Sequence, residues 1–453
     1  MVKLIKFALS AVLLVPFSLG AQTQPDLSAI LARLDRLERE NKALTDEVHH
    51  LRSKIEPASD GQNVPEAVPT TVPATPGDNL EQKVEIQGQR IDEQAQTKVE
   101  ASQKFPLRIT GMALFNSFMD SHQSAGAQYP VTASAPGAGQ AGATFRQTII
   151  GLDFRGPQTF AGGTVRGSVY MDFSAGAANQ AVRMRTASLE LDWKNRSIMA
   201  GIEKPIFNPR EPSSLAQVAV SPFTGAGNLW LWLPQIRVQQ DFHFTSSTGL
   251  RAQMGVIQTR EVGPYPGENF NGTVESTRPG LEGRFEFFHN LDDERRIEIA
   301  PGFHTSTTHA GGQSITSQLV STDWFFNPVR RVEFTGAFYA GQNVAPLGEG
   351  YQQGYGIYGR HSHAVGSIGG WGQVTIHMLP RLDFHFFTGQ QDDTNADLDA
   401  GRIGKNLLFG GNLYYHLAPN VILAWETTQL RTSYIGQGIR INNHYDLALA
   451  YFF

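Results

Sequence analysis

Polar and apolar positions alternate strictly at the end of the chain. Leu447, Leu449, Tyr451 and Phe453 share one parity, and Arg440, Asn442, His444 and Asp446 share the other. A period of two predicts a β-strand with one greasy and one wet face. The same alternation sets Val165, Val169, Met171 and Phe173 against Arg166, Ser168, Tyr170 and Asp172. It sets Ile236 and Val238 against Arg237, Gln239, Asp241 and His243, and Leu281, Phe285 and Phe287 against Glu282, Arg284 and Glu286. Leu382, Phe384 and Phe386 oppose Asp383 and His385 in the same way. About sixteen strands fit between residues 105 and 453, with boundaries loose by about two to four residues. The second and tenth resist assignment, and Arg183 and Arg185 take the apolar parity.

The connections alternate as well. Tight turns such as Lys194-Asn195-Arg196, Asn327-Pro328, Leu379-Pro380 and Ala418-Pro419-Asn420 follow even strands, whereas 119–143, 204–229, 261–277, 341–366 and 391–402 follow odd ones. Short turns on one side and long loops on the other, with an apolar outer face, predict an antiparallel transmembrane β-barrel in an outer membrane, both termini in the periplasm. Tyr451 and Phe453 would close it. Trp193, Phe244, Phe287 with Phe288, Phe325 with Phe326, and Tyr414 with Tyr415 fall at periplasmic strand ends, where an aromatic girdle belongs.

A different period governs the N-terminal part. Lys3, Lys6, an apolar run from Phe7 to Phe17 and small residues to Ala21 predict a signal peptide over 1–21. Over 22–56, Leu27, Ile30, Leu34, Leu37, Asn41, Leu44, Val48, Leu51 and Ile55 alternate spacings of three and four. This is the seam of a periplasmic coiled coil, with Asn41 as a register-setting polar residue. Residues 57–104 are a Pro-rich spacer with room for a weak helix.

Composition narrows the chemistry. The chain holds no cysteine, 46 glycines and 28 phenylalanines, and carries a net charge of −5, which disfavours a nucleic-acid partner. No Gly-x-Ser-x-Gly elbow surrounds a serine, so no catalytic residue is expected. His361 and His363, with His304 and His309 placed on neighbouring loops, read as loop polarity rather than a metal site, and the acidic run 392–399 as a solvated loop. No cofactor or metal is expected. The barrel's only lysines are Lys194, Lys204 and Lys405, so its positive charge rests on arginine, which grips carboxylates bidentately. The candidate selectivity set is Lys204, Arg210, Glu211, Arg237, Asp241, Arg284 and Glu286. Together with Glu203 these residues would set opposed charges across a pore.

Residues 105–453 resemble the general trimeric porins: long 204–229 (Lys-Pro-Ile-Phe-Asn-Pro-Arg-Glu-Pro onward) follows the fifth strand, and Pro-Gln-Ile-Arg opens the sixth. The added coiled coil and spacer resemble the DcaP-like porins. That resemblance implies an inward-folding loop at 204–229, a homotrimer, and passage of small hydrophilic solutes with preference for dicarboxylates. Outer-membrane lipid, lipopolysaccharide and peptidoglycan are the other expected partners. Two rival readings are an eighteen-stranded sugar-type porin with a coiled coil, and a barrel that tethers the envelope.

Overall fold

The computed structural model describes residues 107–453, apart from 127, 135–136, 177–180, 266–271 and 276–277. The expected signal peptide, coiled coil and spacer lie outside the described residues.

The strands are β1 (Leu107–Asp120), β2 in two pieces (Gln140–Thr144 and Ile149–Gln158), β3 (Thr164–Ala175), β4 (Ala181–Trp193), β5 (Arg196–Glu203), β6 (Leu233–His243) and β7 (Thr248–Ile257). They continue as β8 in two pieces (Val274–Glu275 and Gly280–Asn290), β9 (Arg296–Ala310), β10 (Gln313–Val329), β11 (Val332–Gln342) and β12 (Gly366–Leu379). The series ends with β13 (Leu382–Asp393), β14 (Ile403–Ala418), β15 (Val421–Tyr434) and β16 (Gly438–Phe452). Each strand pairs antiparallel with the next, and β1 pairs with β16 from Met112↔Phe452 to Asp120↔His444. The result is a closed barrel of 16 strands. Closure leaves no open sheet edge, as a bilayer requires of any spanning sheet.

The alternation read from sequence is the inside–outside alternation of this barrel. Leu447, Leu449 and Tyr451 are exposed outward, while His444 and Asp446 are buried inward. Arg183 and Arg185 depart from expectation. The β3–β4 register jumps from Tyr170↔Thr186 to Met171↔Met184, so Arg185 is an extra, bulged residue. A bulge resets parity, and both arginines turn into the lumen.

Three other expectations change. His304 and His309 lie in β9 rather than in loops, because β9 and β10 run on to a Gly311-Gly312 turn in which both residues have positive φ (57° and 77°). The girdle pairs divide: Phe287 and Tyr415 face outward, while Arg296 lies over the ring of Phe325 on the inner wall and Tyr414 packs on inward His385. The connection after the ninth strand, which the order of long loops after odd strands would make long, is only the two-residue Gly311-Gly312 turn.

At the seam of the barrel, Gly111 exchanges backbone hydrogen bonds with Phe453 (Gly111 N–H to Phe453 O 2.9 Å, Phe453 N–H to Gly111 O 3.1 Å). A Cβ at Gly111 would strike the Ile149 carbonyl oxygen and come within 2.8 Å of Phe453 Cζ. Gly111→Ala is therefore expected to part β1 from its neighbours at a cost of about 1–3 kcal/mol. A lower unfolding temperature of the detergent-solubilised barrel would check it.

Candidate functional site: the lumen and its inward-folded loop

The connection between β5 and β6 occupies the interior. Its residues are largely buried, although no strand contains them. Three apolar anchors seat it. Phe207 and Leu229 pack with Leu233, Ile257, Leu319, Tyr339 and Leu347. Phe223 stands edge-on to Phe387, with ring centroids 5.5 Å apart, in a cluster with Trp371 and Leu408. Leu215 packs on Met112, Leu114 and Ala448. These anchors explain why β10 defied a simple pattern: Leu319 faces inward, onto the loop rather than onto water.

Wall side chains satisfy the loop's backbone. Gln147 donates to the Ala216 carbonyl (2.8 Å) and accepts from the Val218 and Ala219 amides (2.7 and 2.8 Å). Asn116 donates to Leu215 O, Asn412 to Ser213 O and Asn406 to Gly225 O, each at 2.8 Å. The Ile206 amide donates to Glu282 Oε2 at 2.7 Å, and Glu282 Oε1 lies 3.0 Å from His304 Nδ1. Buried backbone groups must find partners, and here partners on strands all round the barrel fix the loop across the lumen. Gly227 is pressed against the wall at φ 101°, where a Cβ would meet the Gly370 and Gln390 backbones.

The charged candidates fall into three settings. Arg210 of the loop, Arg284 and Glu286 of β8 and Asp241 of β6 join one relay. Asp241 meets Arg251 (3.1 Å), Arg251 meets Glu286 (2.9 Å), and Glu286 meets Arg284 (2.5 Å). Arg284 and Arg210 share Asp323 (2.7 and 2.5 Å), and Arg210 and Arg296 share Glu298 (2.7 and 2.6 Å). Four arginines thus alternate with four carboxylates. Lys204 and Glu211 form a separate pair at 2.7 Å within the loop. Arg237, on the inner wall of β6, has Glu203 and Glu190 in its neighbourhood but touches neither. It has no ion pair among the described residues, and its Nε is buried without a hydrogen-bond partner. A cavity of about 320 Å³ opens beside the relay, lined by Pro209, Arg210, Arg251, Gln253, Arg284, Glu286 and Glu298.

Sequence reading passed over a further group. Arg183 and Arg185 both bond Asp172 (2.6 and 2.9 Å), and their guanidinium carbons lie 5.4 and 4.4 Å from the Trp232 ring centroid. Arg185 also donates to Val218 O at 2.8 Å. Two cations on one carboxylate leave net positive charge where the loop rejoins the wall. Their charge at apolar parity was the local signal of a bulge, but nothing in the sequence joined them to Asp172 or Trp232. Asp323 and Arg251, central to the relay, were missed because each partner sits on a different strand.

Among the described residues no group of three histidine, aspartate or glutamate side chains is arranged to hold a metal ion. On the long connection between β11 and β12, Glu349 is buried and accepts from the Gln353 amide (3.3 Å) and Gln391 Nε2 (3.5 Å). Burial, then the nearby Asp393, pushes the Glu349 carboxyl well above its ordinary range.

Two outcomes are expected. Arg284→Gln takes one of two cations from buried Asp323 and one of three from Glu286 and should cost about 1.5–3 kcal/mol, whereas Lys204→Gln breaks a part-exposed pair worth about 0–1 kcal/mol. Thermal unfolding of both variants separates the cases. Because the folded-state pKa of Glu349 is raised, the folded loop binds its proton more tightly than the unfolded chain does. That contribution is present in acid and is lost as pH rises through the raised pKa. Amide protection over 343–365, measured against the intrinsic exchange rate at each pH, should fall from acidic to neutral pH, and Glu349→Gln should flatten the change.

No protein-family model matches the chain, and comparison with curated proteins gives no match. In fold, the chain is similar to the outer membrane channel DcaP of Acinetobacter baumannii, with a TM-score of 0.65 and 15% identity over 77% of this chain and 97% of that one. It is also similar to an anion-selective porin from Comamonas acidovorans, with a TM-score of 0.53 and 10% identity over 77% and 99% of the two chains. The closed barrel thus has the fold of these outer-membrane channels.

Proposed function

We propose that the protein is a passive diffusion channel of the bacterial outer membrane for small hydrophilic solutes, with a preference for anions such as dicarboxylates. It acts without a chemical step, as a homotrimer whose N-terminal segment lies in the periplasm. An apolar outer face around a polar lumen narrowed by residues 204–232 supports the channel. The anion preference rests above all on Arg237. The relay around Asp323 is internally neutral, so it holds the loop and contributes little net field. Arg237, with no ionic partner among the described residues, leaves its charge available to a passing carboxylate. A guanidinium in such a confined, partly dry site acts more strongly than in bulk water. The paired Arg183 and Arg185 add to the same sign.

Reversal potentials in a planar bilayer under a salt gradient test the reading. The wild-type protein should favour the anion, and Arg237→Gln should shift the reversal potential toward cations with little change in thermal stability. Unchanged selectivity in that variant would remove Arg237 from the role, and absence of conductance steps would refute the channel.

A further inference from the structure

Among the described residues, the outer face of the barrel carries a basic group without an ionic partner that the channel reading does not use. Asn406, Leu430 and Thr432 are buried inward, so Lys405, Gln429 and Arg431 point outward. Arg431 pairs across the sheet with Leu407 on one side and Ile441 on the other, and Ile441 is exposed outward. A guanidinium is thus set where apolar Leu407, Phe409 and Ile441 meet a polar row of Gln429 and Asn443 on the outer face. Arg431 lies ten residues above Val421, the first residue of β15 beyond a tight periplasmic turn. A tilted strand crosses the hydrocarbon in about 9–11 residues, which puts Arg431 at the outer-leaflet interface.

The side chain is held there. Arg431 Nε donates to Gln429 Oε1 at 2.6 Å, and Gln429 Nε2 donates to Asn443 Oδ1 at 2.8 Å. The Asn443 backbone N–H donates to Ser121 Oγ at 2.8 Å. The guanidinium carbon lies 5.4 Å from the centroid of the Phe409 ring. This bonding uses Nε and leaves both terminal nitrogens without a partner among the described residues. No carboxylate there pairs with Arg431. Lys405 nearby is neutralised by Asp392 at 2.8 Å.

We infer that Arg431 docks the phosphate of an anionic glycolipid headgroup in the outer leaflet, with the Gln429–Asn443 row orienting the guanidinium. The inference rests on the proposed membrane setting. Two free N–H donors in a planar fork match two phosphate oxygens. Polar neighbours on one side and acyl-contacting leucine and isoleucine on the other match the junction of headgroup and chain. An inward arginine at similar height, Arg440, lies 4.5 Å from the Tyr434 ring centroid and supplies a control.

The experiment uses the full chain in detergent, titrated with a bis-phosphorylated lipid A-type glycolipid, its dephosphorylated form and inorganic phosphate, and read by native mass spectrometry and thermal shift. The wild type and Arg440→Gln should bind the phosphorylated lipid alike. Arg431→Gln should bind it at least fivefold more weakly, and Arg431→Lys should fall between. Equal binding by Arg431→Gln and wild type, or equal response to the dephosphorylated lipid, would overturn the inference. So would a change of oligomeric state in Arg431→Gln with lipid binding intact, which would make the patch a contact between copies. Equal protection by inorganic phosphate alone would also overturn it, since the site would then be a free-anion site. Single-channel conductance of Arg431→Gln should match wild type; loss of all channels in every protein, wild type included, would instead fault the channel reading.

Discussion

A peptide group inside hydrocarbon has no water to bond, so a sheet there must close upon itself. That constraint is met at one seam, where β1 runs antiparallel to β16 and Gly111 trades hydrogen bonds with Phe453. Every other feature presumes the closed ring. Closure converts a period of two into an inside and an outside, and it creates an enclosed space into which a loop can fold.

The enclosed space poses a second demand. A stretch of nearly thirty residues without regular structure carries unpaired amides and carbonyls into a confined interior. The walls supply the missing partners from asparagine and glutamine side chains, among them Asn116, Gln147, Asn406 and Asn412. Apolar contacts at Phe207, Leu215 and Phe223 set its position. The ion-pair relay through Asp323 then ties the descending part of the loop to β8, β9 and β10. Its inner carboxylates, Glu286, Asp323 and Glu298, each meet more than one arginine, so the relay acts as a unit.

Division of labour among arginines follows. Arg210, Arg251, Arg284 and Arg296 spend their charge on carboxylates that hold the loop. Arg237 keeps its own, and Arg183 and Arg185 share one aspartate. Outside, Arg431 meets the bilayer. Arginine suits all of these settings because it stays charged when partly desolvated.

Strand number, the order of short and long connections, and the inward parity of Arg237, Asp241, Arg284 and Glu286 were legible in the sequence, because pleating alone imposes a period of two. The placing of 204–229 inside the barrel came from resemblance to porins rather than from periodicity. What stayed hidden depends on distant contacts. The bulge at Arg185 inverted a parity that local reading had put outward, and the inward Leu319 broke the pattern of β10 because it packs on the loop. The pairing of Arg284 with Asp323 joins strands remote in sequence. Alternation is a local property, written wherever a strand has one wet and one greasy face. Which charges are spent on one another and which stay free is decided only when sixteen strands close and bring Arg210, Arg284 and Asp323 to one point, leaving Arg237 outside every ion pair of the described residues.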